Sequence, residues 1–592
     1  MSQRLFSAEE AYALIASDTE TASEGEEEDP TFLVSTSSSS SSCSSFSDDE
    51  TPRRRRRPRR TPRAASPDLH PSAPIFTAAP HTSEPIWTPA PPNFEPQIPD
   101  FVGQSGIQFD PSGFTEIDFF KLFFSEELIS LMVVQTNLYA QQFLAQHPVS
   151  SFFSGSHSWT PVDAAEMTTF WGLLLHMGLV KKPRIRQYWS VDILYNTPIH
   201  RMAMTRHRFE AILKFLHYND NARCPPRDDP SYDRLYKIRP VIDHLAAKFS
   251  EVYIPGKYIS IDESLVSFKG RVQFRQYLPS KRARYGIKLY KLCESTSGYT
   301  HRFRVYEGRD THIQPPECPP TLGVSGKLVW ELMFPLLDKG YHLYVDNFYT
   351  SLPLFKSLST RATVACGTVR KNQRGLPSHP VAEVLRRGVF KAHCSDNMLL
   401  VKYKDKRDVL ILTTIHGPGT TPVPVRGTTA VALKPDCILD YNRYMGGVDL
   451  SDQVLKPYSA LRKTNIWYKK LAVHMVQTAM YNAFVLYRCA GHPGKYLQFQ
   501  EAVVKALIFC GGEGGGPSTS AAATGGPRIV PGQHFPGEVP HTGKKGKSQK
   551  KCRVCYKKGF RKDTCYQCDT CPDKPGLCMK ECFKTYHTSM EY

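Results

Sequence analysis

The chain has 592 residues and carries 75 Lys and Arg against 56 Asp and Glu, a formal net charge of +19. That excess favours a polyanionic partner, because neutralising phosphates and releasing their counterions drives nucleic-acid association. No run of about 18 apolar residues is present to span a bilayer, and the N-terminus lacks the basic start and apolar stretch of a secretory leader. The expected class is therefore neither membrane nor secreted, and the 16 cysteines are expected as thiols or metal ligands in a reducing compartment.

Residues 1–105 read as a disordered tail, with acidic Glu24–Asp29, the serine run Ser37–Ser42 and proline-rich Thr61–Pro99. Too little apolar surface is available there to offset ordering entropy. Within it Arg53, Arg54, Arg55, Arg56, Arg57, Arg59 and Arg60 spell RRRRRPRR. This reads as a nuclear-import signal or DNA tether, with a solvated charge run as the alternative. A nuclear location and an import receptor as partner are the matching expectations.

Residues 106–256 read as helical. Ser125 can cap a helix, Asp163 and Glu166 have capping-box spacing, and Phe209, Ile212, Leu213 and Leu216 form an apolar stripe. Pro240 suits the start of another helix. Residues 257–372 switch to an α/β pattern, with strands over Lys257–Phe268, Lys288–Cys293, Thr300–Tyr306 and Tyr341–Val345. Residues 373–434 read as a β-rich insertion with a hairpin at KDKRD. Residues 435–456 return to the α/β domain, 457–510 are helical again, 511–550 form a flexible basic linker, and 551–592 are cysteine-rich.

Three separated aspartates stand out: Asp262 in YISIDESL, Asp346 in YHLYVDNFYTS and Asp449 in YMGGVDLSDQ. Strand alternation places Asp262 and Asp346 at strand ends opposite apolar faces. Asp449 and Asp452 share a helix face. Clustered carboxylates bind hard divalent cations, and two such ions can clamp a phosphodiester. Each also has a structural reading, as a strand-ending turn, a helix cap or a salt-bridge acceptor. Between them, Lys269–Lys291 interleaves cations with aromatics, which suits phosphate and base contact; Arg271, Arg275 and Lys288 are the expected DNA contacts. An exposed charged β face is the alternative.

IDES followed by FKGRVQFRQYLPSKRARYGIKLYKLCES, then LYVDNFYTSLPLF, DYNRYMGGVDLSDQ and NIWYKK, resembles the piggyBac family of DNA transposases from about residue 100 onward. The resemblance implies a multidomain α/β protein. Its parts are an RNase H-like catalytic domain, a split helical DNA-binding and dimerisation domain and a C-terminal cross-brace zinc domain. Asp262, Asp346 and Asp449 match the family's DDD triad, which binds two Mg²⁺; Asp452 matches a fourth aspartate near the metals. Trp467 matches a tryptophan near the active site, with helix packing as its competing role. The implied activity is cut-and-paste transposition of double-stranded DNA through hairpin ends, at TTAA, by a homodimer. The alternative is a domesticated DNA- or chromatin-binding protein that keeps the fold.

Cys552, Cys555, Cys568, Cys571, Cys578, Cys582 and His587 form a zinc pattern. A segment this short gains from metal coordination the stability a large core would supply. The family's topology implies one zinc on Cys552, Cys555, Cys578 and Cys582, and another on Cys568, Cys571 and His587. The eighth ligand stays open between Cys565, His541 and water. Lys557, Lys558, Arg561 and Lys562 favour DNA as this module's partner over the histone-reader or ubiquitin-ligase roles of other cross-brace folds.

Overall fold

A computed structural model describes residues 85–146, 159–279, 284–308, 313–424, 431–509, 534, 536–540, 548–571 and 573–588. The chain divides into two compact units, residues 1–511 and 512–592. Arg53–Arg60 lie outside the described residues. Among those described, no helix is long and apolar enough to cross a membrane.

The first unit begins earlier than residue 105. Thr88–Pro89 (β1) pairs antiparallel with Cys394 and His393, Trp87 donates its Nε1 to the Gly375 carbonyl at 2.9 Å, and Phe101 meets Tyr341 edge-on at 4.9 Å. Gln97 and Asn397 exchange two hydrogen bonds. A proline-rich segment cannot build its own sheet, yet it can lie along a sheet edge, where a missing N–H costs nothing. The few aromatics here anchor such a strap.

Helices α1 (Glu116–Lys121), α2 (Glu126–Gln146), α3 (Ala164–Leu179), α4 (Arg206–Phe215) and α5 (Arg239–Glu251) follow. Asp163 caps α3 by accepting from the Glu166 amide at 2.7 Å, and Pro240 lies in the first turn of α5. Their apolar stripes share one core with two later helices, as Phe170, Trp171 and Leu245 do with Leu471 and Leu507.

Next come β2 (Tyr258–Ser267), β3 (Tyr285–Glu294), β4 (Thr300–Val305), α6 (Val324–Met333), β5 (His342–Val345), α7 (Leu352–Ser359) and β6 (Val364–Thr368). β4, β3 and β2 pair antiparallel; β5 joins β2 in parallel, and β6 joins β5 in parallel. This is the RNase H-like order. Ile259, Ile261, Leu343 and Val345 face α6 and α7, packing with Trp330 and Phe355. The opposite face is left for Ser260, Asp262 and Ser264.

β7 (Phe390–Ser395), β8 (Met398–Lys404) and β9 (Asp408–Thr413) correct the expected insertion. The KDKRD hairpin forms, with Lys404 opposite Asp408. However, β9 pairs with β6, so these strands extend the same sheet, ten-stranded among the described residues. Buried Leu400, Leu410 and Leu412 continue the α6/α7-side core, which explains why the segment does not stand alone.

α8 (Asp436–Tyr444) and α9 (Gly447–Leu455) cover the other sheet face, and α10 (Trp467–Cys489) and α11 (Tyr496–Phe509) complete the helical part. α10 is buried nearly all round, and several of its polar residues meet a specific partner. Asn482 bonds both N–H and C=O of Thr300 at 2.9 Å, acting as a strand surrogate beside β4. Lys469 donates to the carbonyls of Leu213 and Lys214 at 2.7 Å, closing the end of α4.

The second unit holds β10 (Pro536–Glu538), α12 (Arg553–Lys557), β11 (Tyr566–Cys568) and α13 (Cys582–Thr588). β10 pairs with β11, and Lys550–Lys551 pairs with Asp563–Thr564. Part of the expected linker 511–550 therefore belongs to the cysteine-rich fold.

Deleting residues 1–103 should destabilise the first unit by on the order of 2 kcal/mol or more relative to deleting 1–84, since Trp87 and Phe101 lose apolar contact. Denaturant melts of the two truncations, giving equal midpoints, would contradict the strap.

Candidate active site and metal centres

The parallel pairing of β2 with β5 aligns Ile261 with Val345, so the next residues, Asp262 and Asp346, are neighbours; Asp346 follows the end of β5, but Asp262 lies within β2, which runs on to Ser267 and corrects the expected strand end. Glu263 joins them: one carboxylate oxygen from each of Asp262, Glu263 and Asp346 lies within 4.8 Å of the others. The sequence reading missed Glu263, because alternation sends it to the other face of β2. The signal lay in IDES, an acid directly following Asp262 in the chain.

Asp346 also forms the turn that the sequence allowed: its Oδ1 accepts from the Phe348 amide at 2.8 Å. Burial raises the Asp346 pKa, and repulsion from Glu263 adds to this against the Phe348 amide and Arg370. An ionised Asp346 is thus uncomfortable without a cation.

Asp449 is exposed on the first turn of α9 and lies outside the close group of three. α9 is seated along β2 at two points. A Cβ added at Gly447 would lie 2.6 Å from Ser260 Oγ, and Asp452 Oδ1 accepts from Ser264 Oγ at 2.8 Å. These contacts bracket Asp449 at the level of Asp262. Asp452 is also bonded by Lys291 at 3.1 Å. Burial pushes its carboxyl up, but the Lys291 ammonium and the Ser264 bond outweigh this and leave its pKa below the usual value.

The expected DNA contacts separate into two groups. Arg271 is exposed on the loop after β2. Arg275 is exposed but braces that loop, donating to the carbonyls of Lys269 and Gly270 and lying 5.1 Å over the Tyr285 ring. Lys288 is not a surface contact. It is buried, paired with Glu263 at 2.6 Å, and covered by Tyr290 and Phe348. It lies on the Glu263 face of β3, where the strand is covered. Trp467 is half-buried and meets Phe274 of the basic loop edge-on at 5.2 Å, which ties α10 to that loop.

In the second unit, Cys552, Cys555, Cys578 and Cys582 form one donor group, and His534, Cys568, Cys571 and His587 another. Cys555 Sγ lies 3.5 Å from Cys582 and 4.0 Å from Cys578. His534 Nδ1 is 3.4 Å from Cys568 Sγ, and His587 Nε2 is 3.5 Å from Cys571 Sγ. A tetrahedral zinc with ordinary bond lengths needs donor separations of about 3.5–3.8 Å, so both donor sets fit zinc. The eighth donor in these two groups is His534, close to Cys568 where β10 pairs with β11. Cys565 belongs to neither group, and His541 lies outside the described residues. Burial raises the thiols of Cys571 to about 12 and Cys578 to about 11. Cys552 falls to about 7, because hydrogen bonds from Cys555 and Cys578 outweigh burial. Loading therefore releases protons.

Lys557, Lys558, Arg561 and Lys562 are all exposed, beside the exposed rings of Tyr556 and Phe560. The aromatics were not singled out in the sequence, where their exposure is not visible.

Two outcomes test these sites. Changing His534→Ala should lower bound zinc from two to about one per chain, while Cys565→Ser keeps two, as read by metal analysis of the full chain. Because the Asp346 pKa is raised in the fold, its contribution favours stability at acid pH and is lost as pH rises through the folded value. Without divalent cation, Asp346→Asn should thus melt no lower than the parent near neutrality and lose that advantage on acidification. Added Mn²⁺ should raise the melting midpoint of the parent but not of Asp346→Asn.

Comparison with known proteins accords with this architecture. A family model described as Transposase IS4 matches residues 115–484, and one described as DDE_Tnp_1-like zinc finger matches residues 533–588. Human PiggyBac transposable element-derived protein 3 is 28% identical over 491 residues, 80% of this chain and 76% of its own. The human chimeric ERCC6-PGBD3 protein is also 28% identical over 491 residues, but the match spans 43% of its length. Among solved structures, a piggyBac transposase synaptic complex with hairpin DNA superposes with a TM-score of 0.59 at 26% identity, covering 69% of this chain and 83% of that one. With its mixed sheet, flanking helices and Cys/His module, the chain belongs to the piggyBac-type transposase family.

Proposed function

We propose that the protein is a cut-and-paste DNA transposase whose strand-cleaving centre is built on Asp262, Asp346 and Asp449. The observation that carries this reading is the convergence of Asp262, within β2, and Asp346, just past the end of the parallel neighbour β5, with Glu263 beside them. The raised pKa of Asp346 supports a cation there.

Asp262 and Asp346 hold a divalent cation, Mg²⁺ in this reading, and Asp449 completes the site from α9. When bound, two such ions polarise the scissile phosphodiester and the attacking oxygen. Arg271 meets phosphate from the adjoining loop. Lys288 pairs with Glu263 and offsets part of the negative charge gathered beside Asp262 and Asp346. Hydrolysis at the element's end breaks one P–O bond and frees a 3′-OH. That hydroxyl attacks the opposite strand and closes a hairpin; opening and insertion exchange further P–O bonds. Each step trades one phosphoester for another or for water, so neither ATP nor a covalent protein intermediate is required. The hairpin step is supported by the DNA in the solved relative; TTAA as the target rests on the family resemblance. The exposed cations of the zinc module provide a surface for the element's end. A nuclear location, an import receptor for Arg53–Arg60 and a homodimer holding two ends complete the proposal.

A second reading is favoured by the human relatives, which are named as transposable element-derived proteins: a DNA- or chromatin-bound protein that keeps the fold without mobilising DNA. A plasmid excision assay with the element's own ends separates the two. Asp262→Asn and Asp346→Asn should each lower excision at least about 100-fold while end binding, read by gel shift, stays near the parent's. Excision by either variant at the parent's rate would sink the assignment, and a parent that binds ends without excising them would favour the second reading.

A further inference from the structure

β3 carries two buried lysines on opposite faces of the sheet. Lys288 takes Glu263 on one face, and Lys291 takes Asp452 on the other. The Lys291 side chain is 1% exposed. The same Asp452 oxygen that it bonds also accepts from Ser264, two residues beyond Asp262 on β2. One carboxylate oxygen thus joins β2, β3 and α9. His474 of α10 is buried near this pair; burial first, and the Lys291 charge second, lower its pKa to about 3, so it is neutral and Lys291 is the counter-charge.

The Asp452 side chain is half-buried, and an ion pair with one partner fully buried is a costly way to gain stability alone; the best-attested use of such a pair is to fix a register. Here the register in question is that of α9. Its N-terminal end is set by Gly447, where any side chain would strike Ser260 Oγ and the Glu294 carbonyl. Its middle is set by Asp452. Asp449 lies between these points, one turn before Asp452.

We propose that Lys291 is a positioning residue: with Ser264 it binds the Asp452 carboxylate and sets α9 so that Asp449 is presented to the cation held by Asp262 and Asp346. Asp452 spends its charge on Lys291 and is not itself a metal ligand. This rests on the transposase reading for its cleavage readout only.

The test uses the full chain as parent, Lys291→Met, Lys291→Arg, Asp452→Asn and the double variant Lys291→Met/Asp452→Asn. Three quantities are measured: Mn²⁺ affinity by calorimetry, amide exchange over residues 447–455, and the Mn²⁺ dependence of cleavage of a DNA end. Lys291→Met should weaken Mn²⁺ at least about 10-fold, the effect typical of losing a group that orients a ligand, speed exchange in α9 and leave end affinity unchanged. Removing the orphaned charge in the double variant should return Mn²⁺ affinity towards the parent's, and Lys291→Arg should retain most of it. If Lys291→Met does not fold, the double variant and Lys291→Arg decide by the same readouts. The proposal is overturned if Asp452→Asn loses Mn²⁺ as fully as Asp262→Asn with no recovery in the double variant, or if Lys291→Met binds Mn²⁺ as the parent does. A parent that cleaves no DNA would count against the transposase reading, while calorimetry and exchange would still decide the role of Lys291.

Discussion

Carboxylates brought within 4.8 Å of one another repel, and the sheet must hold them there. The parallel pairing of β2 with β5 does so, because backbone hydrogen bonds fix Ile261 beside Val345 and leave Asp262 and Asp346 no choice of neighbour. Much of the surrounding structure relieves the resulting charge. Lys288 pairs with Glu263 on one face of the sheet, and Lys291 with Asp452 on the other. The raised pKa of Asp346 is what remains uncompensated, and an uncompensated carboxylate at a strand end is a place for a cation.

Around that centre the rest of the first unit is a means of holding one sheet rigid. α6 and α7 pad one face with Trp330 and Phe355, and α8 and α9 cover the other. The strands of residues 390–413 lengthen the sheet instead of forming a separate body, and the strap from Trp87 to Phe101 closes its edge. Asn482 couples the long helix α10 to β4 by imitating a strand.

Local pattern made most of the elements legible. Asp163 before an apolar stripe, Pro240 at a helix start, and the alternation around Asp262 and Asp346 all translate into the observed caps and strands. Long-range pairing was not legible. Nothing local to Pro89 or Gln97 announces that its partner lies at His393 or Asn397. His534 is a lone histidine in a glycine- and proline-rich stretch until β10 pairs with β11. Lys288 looked like an outward cation because the sequence records its charge but not the Phe348 and Tyr290 rings above it. Burial of charge is a tertiary property, and it turns Lys288 from an expected DNA contact into a partner for Glu263.

The central claim is that Asp262 and Asp346 share a divalent cation. The most direct measurement is anomalous scattering at the manganese edge from crystals of the full chain equilibrated with Mn²⁺. The account predicts a peak about 2.1 Å from a carboxylate oxygen of each aspartate, with Asp449 turned towards it from α9. Bare, divergent carboxylates at saturating Mn²⁺ would contradict it.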